Sequence, residues 1–313
     1  MLFEGSEKKL EVVVASEVGD LRTRGDDFWY RLVQSVDAQV LSKLHRADCD
    51  AYLLSESSLF VWEHKFTMIT CGRTTLVQAL PIFLQTVPID KIEFLVFERK
   101  NEYFPRQQKT DFFSDLDTIR RLAPGHAYRF GHAGEHHIFL FHLDRPFKPA
   151  RGDVTTELLM HHIGGAARDL FGSKGQQIAT IRHYLQLDGI FPGYAWDDYL
   201  FEPVGYSVNG IKGKRYVTIH VTPQDGGSYV SLETNADFGE NLSQVLSQVV
   251  TRFQPQSFDV MTFRPDDKQV SFEAPDYWRV NRVEEKLKCG YRVNYTSHYL
   301  THSAVQPSQI LEV

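Results

Sequence analysis

Two hydrophobic periods run through this chain. Aromatic and β-branched residues, often alternating with polar ones, mark strands over 11–15, 58–71, 92–97, 136–143, 216–221 and 228–233. Helical spacing runs over 26–44, 74–84, 112–122, 155–171 and 241–253. The last is the clearest, with Leu242, Val245, Leu246, Val249, Val250 and Phe253 on one face behind a polar start at Asn241. Strands do not alternate with helices one for one, and several adjoin through polar turns such as "DGGS". The pattern predicts an α+β chain of antiparallel sheets covered by helices.

Periodicity breaks at "DRPFKPARGD", residues 144–153, where Pro146, Pro149 and Gly152 interrupt it. This seam divides the chain into approximate halves, 1–150 and 151–313, with similar inventories of elements. The connector is short and carries Phe147, so the halves are expected to pack as a single domain. At 313 residues and 42% hydrophobic, the chain can bury a large core. A formal charge of −6 lacks the broad positive field of a nucleic-acid binder, so no nucleic-acid partner is expected. Cys49, Cys71 and Cys289 have no paired zinc spacing, and no apolar leader or membrane-length run is seen. The expectation is a cytoplasmic protein with no membrane association.

Candidate chemistry begins at "YLLSESSLFV", residues 52–61, where an apolar run is interrupted by Ser55, Glu56, Ser57 and Ser58. One reading is a turn between two short strands. The other is a site of self-processing. A serine hydroxyl held against the preceding carbonyl can convert the amide to an ester, and β-elimination followed by hydrolysis then leaves a pyruvoyl group on the new N-terminus. Such chemistry needs a nearby base and polar partners for the adduct.

Further segments supply them in order: "LFEGSEKKLEV" (2–12), "LSESSLFV" (54–61), "TCG" (70–72), "FEPVGYSVNG" (201–210), "YVTIHVTP" (216–223) and "YVSLETN" (229–235). Together they resemble the eukaryotic-type S-adenosylmethionine decarboxylase proenzyme family across nearly the whole chain. The resemblance implies a four-layer αββα sandwich with two central antiparallel sheets, built from two similar halves. It implies self-cleavage between Glu56 and Ser57 into alpha and beta chains, a covalent pyruvoyl group derived from Ser57, and no metal or external cofactor. The substrate would be S-adenosylmethionine, joined to the pyruvoyl group as a Schiff base and decarboxylated for spermidine and spermine synthesis.

By the same resemblance, Ser207 and His220 serve processing, with His220 removing the serine α proton. Cys71 is the proton donor of the decarboxylation. Glu7 lies near the reacting centre, with Glu4 a weaker catalytic candidate. Phe3 and Phe201 flank the substrate's adenine, and Leu54 joins them as a substrate-binding residue. Glu11, Asp153, Thr155, Glu157 and Glu233 form an acidic set that binds putrescine as an effector, because clustered buried carboxylates call for a cation. Homodimer formation is also implied.

One departure concerns the substrate. The family pattern has glutamate after "TP", where it accepts hydrogen bonds from the ribose, but this chain carries Gln224. Glutamine lacks the charge and the paired acceptors of a carboxylate. Asp225 is adjacent, but on an extended backbone it faces the opposite way. Val204 and Ile69 stand where animal members carry cysteine and lysine. Two other readings therefore stay open: a pyruvoyl-dependent decarboxylase for another amino acid, and an inactive or regulatory homologue.

Overall fold

The computed structural model describes residues 3–224, 226–266, 272 and 274–302, so Asp225 lies outside the described residues. The first half contributes strands β1 (Lys8–Val14), β2 (Val40–His45), β3 (Asp50–Leu54), β4 (Ser57–Val61), β5 (Lys65–Thr70), β6 (Ile92–Lys100), β7 (Gly125–Gly131) and β8 (His137–Leu143). The second contributes β9 (Thr155–His161), β10 (Ala195–Leu200), β11 (Tyr206–Lys212), β12 (Arg215–Thr222), β13 (Tyr229–Thr234), β14 (Ser257–Arg264), β15 (Tyr277–Lys286) and β16 (Arg292–Leu300).

The first sheet is ordered β2-β3-β4-β5-β1-β6-β8-β7 and the second β10-β11-β12-β13-β9-β14-β16-β15. Adding eight to each number in the first order gives the second. The halves thus share a topology even though their residues show no clear repeat. Every neighbouring pair named in these orders is antiparallel.

Side-chain alternation sorts each central strand between two cores. Leu10 and Val12 of β1 pack with Trp29, Leu32 and Phe83 beneath the helices of the first half. Leu158 and Met160 of β9 pack with Leu246 and Phe253 beneath those of the second. Between the sheets, Phe94 and Val96 meet Leu159 and Met261. The Phe60 and Tyr216 rings meet there as well, with centroids 4.4 Å apart. The layers run helix, sheet, sheet, helix, which is the expected αββα sandwich. No helix among the described residues is long and apolar enough to cross a membrane.

Three segments differ from the sequence pattern. The helix expected over 26–44 stops at Gln34, and β2 begins at Val40. The single strand expected over 58–71 is the hairpin of β4 and β5. The helix expected over 155–171 is β9 followed by a helix at Gly165–Gly172. Every residue of β9 is buried, with Leu158 and Met160 toward the helices and Glu157, Leu159 and His161 toward the other sheet. A strand covered on both faces shows no apolar-polar alternation from which to recognise it.

Candidate active site

Strands β3 and β4 are joined by a tight turn, with Leu54 paired opposite Ser57 and only Ser55 and Glu56 between them. Ser57 adopts φ +124°, a region that carries a cost of about 1–3 kcal/mol for a residue with a side chain. The Glu56 carbonyl accepts the Cys71 backbone N–H at 2.8 Å, and the Cys71 thiol lies 3.4 Å from the same oxygen. The peptide bond before Ser57 is therefore both conformationally strained and polarised at its carbonyl. Gly72 makes this approach possible. Its φ is +63°, and a Cβ there would stand 2.3 Å from Glu56 Oε2 and 3.2 Å from the Phe3 ring.

Burial sets the protonation of the surrounding groups. It pushes Glu56 up to about 7 against the pull of Lys8. Glu7 also rises to about 7 through burial, with Lys100 and a hydrogen bond from Ser231 opposing. Glu7 Oε1 accepts Ser231 Oγ at 2.7 Å and faces Ser57 Oγ at 3.5 Å. Cys71 is raised well above the ordinary thiol value, first by burial and then by Glu56 and Glu7, so it is held as a neutral thiol.

The second sheet supplies the opposite wall. Ser207, His220 and Ser231 are register partners on β11, β12 and β13. Ser207 Oγ lies 2.7 Å from His220 Nδ1. On the other side of the ring, Nε2 lies 2.7 Å from Thr218 Oγ1 and 3.1 Å from Ser58 Oγ. Both hydroxyls donate to Asn209 Oδ1, at 2.9 and 2.6 Å. Their oxygens are thus left to accept from Nε2–H, and the lone pair sits on Nδ1. Burial lowers His220 to about 3, so the ring is neutral at physiological pH. Asn209, Thr218 and Ser231 were not singled out in the sequence, and Ser58 only as part of the polar interruption at 55–58. Their one signal was a small polar residue at an inward position of an otherwise apolar strand.

A cleft of about 480 Å³ opens over this junction, lined by Phe3, Ser57, Cys71, Phe201, His220 and Gln224 among others. Ser207 and Glu56 also face it. Two of the sequence candidates are placed otherwise. Leu54 is fully buried in the helix-covered core and does not line the cleft, because β3 turns that side chain toward the helices. The Glu4 carboxylate is spent on backbone amides, accepting from Phe104 N–H at 2.7 Å and Ser6 N–H at 3.0 Å. Glu4 holds the loop after β6 against the N-terminal segment.

The acidic set lies between the sheets and already has cations within it. Lys9 Nζ is 2.8 Å from Glu157, 3.3 Å from Glu233 and 3.5 Å from Glu98. Lys100 Nζ is 2.9 Å from Glu157, and Lys65 Nζ is 2.9 Å from Glu11. Tyr216 donates to Glu233, and Tyr291 donates to Asp153 at 2.7 Å. Burial opposes the charge on Lys9, but Glu157, Glu233 and Glu98 outweigh it and hold the ammonium protonated. Glu98 is pushed up to about 8 by burial and by Glu157. Thr155 lines a neighbouring cavity of only about 10 Å³, room for about one water.

A separate buried group joins His136, His161 and Asp259, whose ligand atoms all lie within 4.8 Å of one another. The two imidazoles lie with centroids 3.7 Å apart and their planes tilted by 31°, and His161 Nδ1 meets the Tyr103 hydroxyl at 2.5 Å. The set lies apart from the residues that line the cleft.

Comparison with known proteins identifies the family and the fold. The adenosylmethionine decarboxylase family model matches residues 1–304. The S-adenosylmethionine decarboxylase proenzyme of Trypanosoma cruzi is 35% identical over 94% of this chain and 88% of its own length. That of Leishmania donovani is 33% identical over 94% of this chain and 85% of its own length. The crystal structure of a Trypanosoma brucei AdoMetDC-delta26 monomer superposes with a TM-score of 0.61 at 24% identity, covering 78% of this chain and 99% of the other, and so shares its fold. By fold and by sequence along almost its entire length, the chain belongs to the adenosylmethionine decarboxylase family.

Proposed function

We propose that this chain cuts itself between Glu56 and Ser57 and, with the pyruvoyl group so formed, decarboxylates S-adenosylmethionine. The observation that carries this reading is the strained Ser57 backbone beside a carbonyl held by the Cys71 N–H, at the floor of a cleft walled by both sheets. Because the site draws on both sheets, the halves act as one catalytic unit. The cytoplasm is the proposed location, and the alpha and beta chains stay together as one sandwich.

In processing, Ser57 Oγ attacks the Glu56 carbonyl carbon. The C–O bond forms, the C–N bond breaks and the amine of residue 57 is freed. The Cys71 N–H stabilises the oxyanion of the adduct, and Glu7 is placed to accept the hydroxyl proton. Neutral His220, oriented by Ser207, then takes the α proton of residue 57 as the Glu56 carboxylate leaves. Water enters, ammonia departs and a ketone remains. Once present, the pyruvoyl group supplies an electron sink for the pair released with carbon dioxide. Cys71 holds the proton that returns to the substrate carbon, Glu7 supplies a carboxylate for the substrate's cationic end, and Phe3 and Phe201 offer flat apolar faces to the base. None of these roles calls on a metal.

Release of labelled carbon dioxide from carboxyl-labelled S-adenosylmethionine tests the reading. The wild-type protein should turn over, and Cys71→Ala should still be cleaved but release carbon dioxide at least about 10²-fold more slowly, the usual size of a lost acid. Turnover of another amino acid, with none of S-adenosylmethionine, would favour the alternative substrate reading.

The Glu7 value sets the pH dependence of processing. The carboxylate, which accepts the proton, predominates above about 7, so the cleavage rate should rise as pH passes through 7 and level off above it. His220, lowered to about 3, contributes no limb in that range, whereas Glu56, also raised to about 7, does, so the limb is read in a Glu56→Gln background. Glu7→Gln should be slow and lose the limb. The same limb in Glu7→Gln, followed by gel shift of freshly refolded protein, would assign the proton acceptor elsewhere.

We also propose that Lys9 and Lys100 perform the charge-balancing task for which the acidic set suggested putrescine. The three carboxylates of Glu98, Glu157 and Glu233 meet two ammonium groups, and a proton on Glu98, raised to about 8, takes up the difference. Saturating putrescine should then change turnover less than about twofold. Lys9→Leu, which breaks a buried pair at a cost of about 3–5 kcal/mol, should make turnover depend on added diamine. A strong diamine response in the wild-type protein would show that the lysines do not serve this purpose.

A further inference from the structure

Gln224 uses both ends of its side-chain amide on a single residue. Its Oε1 accepts the Phe3 backbone N–H at 2.7 Å, and its Nε2–H donates to the Phe3 carbonyl. The side chain thus pairs with Phe3 as a neighbouring strand would, across 221 positions of sequence. Phe3 lies beyond the start of β1, and its ring is 39% exposed at the mouth of the cleft. The next residue, Glu4, is anchored separately, its carbonyl accepting the Gly72 N–H at 2.8 Å and its carboxylate the Phe104 N–H at 2.7 Å, so what the Gln224 pairing adds is the placement of Phe3 itself.

We propose that Gln224 is a positioning residue that fastens the N-terminal segment over the cleft, so that the Phe3 ring forms a fixed wall opposite Phe201 for the aromatic base of the substrate. The inference rests on the decarboxylase reading and adds to it how this chain recognises the nucleoside. An amide is required because the pairing needs one donor and one acceptor. A glutamate would keep the Phe3 N–H bond, lose the other and set a charged oxygen against the Phe3 carbonyl. The glutamine therefore does other work than a weakened ribose acceptor, since its polar atoms are already engaged by the chain itself. After cleavage, Phe3 and Gln224 belong to different chains, and the fastening becomes a bond between them.

Two readouts test the proposal, on the cleaved full-length protein with processing checked by mass. The first is hydrogen exchange of the N-terminal peptide without ligand, which does not depend on catalysis. Exchange at Phe3 should quicken at least about tenfold in Gln224→Met, which removes the acceptor of its N–H, and by less in Gln224→Glu, which keeps it; unchanged exchange in Gln224→Met would overturn the fastening. The second is steady-state kinetics with S-adenosylmethionine. Gln224→Met should raise KM about tenfold with kcat within about twofold, and Gln224→Glu should raise it at least as much. In a Phe3→Ala background the same substitutions should add little, because the ring they position is gone. A KM lowered by Gln224→Glu, or full and additive penalties with Phe3→Ala, would overturn the positioning role. Absence of wild-type turnover alongside an intact exchange effect would count against the decarboxylase reading and leave the fastening standing.

Discussion

The Lys9 ammonium is buried between two sheets, and the arrangement of both halves has to satisfy it. A charge so buried must be paired, and the pairing comes from both sides: Glu98 from its own sheet, Glu157 and Glu233 from the other. Because strand side chains alternate, a one-residue slip of β1 would turn Lys9 into the apolar core beneath the helices. The same register fixes Glu7 two residues earlier, where its carboxylate meets Ser231 of the opposite sheet and faces Ser57. The ionic layer and the reactive centre are thus parts of one alignment of two sheets.

That alignment also explains the chemistry of the site. Charge is concentrated in the ionic layer, while the groups around Ser57 are kept neutral or nearly so by burial. His220 is an uncharged imidazole, Cys71 an uncharged thiol, and burial raises Glu7 and Glu56 to about 7. At this junction the strain falls on Ser57, the first residue of β4 after a two-residue turn, supported by β3, β4 and the Cys71 amide. A rigid scaffold holding one unfavourable backbone angle is what a bond meant to rearrange requires.

Much of this could be read in the sequence, and the parts that could not share a physical reason. The helix at Leu242–Phe253 and the hairpin around Ser57 were legible because each has one buried face or a compact polar turn. Strand β9 was read as helix because it is buried on both faces, and β2 was absorbed into the preceding helix because none of its residues is fully buried. Ser57, Cys71, Ser207 and His220 came from the family resemblance and meet in one cleft. The supporting hydroxyls of Thr218 and Ser231 were hidden, since serine and threonine on strands announce no role. Lys9 was passed over as one charge in "EKKLEV", although its place among the acidic residues decides how that cluster is neutralised. Gln224 was seen as a missing carboxylate, and only the folded chain brings Phe3 to its amide.

The central claim is that the strained bond before Ser57 is made to break. Intact mass spectrometry of freshly purified protein under denaturing conditions, with a carbonyl-trapping reagent in a parallel sample, tests it most directly. The account expects two fragments, residues 1–56 and 57–313, with the larger blocked at its terminus and shifted by one equivalent of the trap. A single full-length mass that persists on incubation, with no trap adduct, would contradict it.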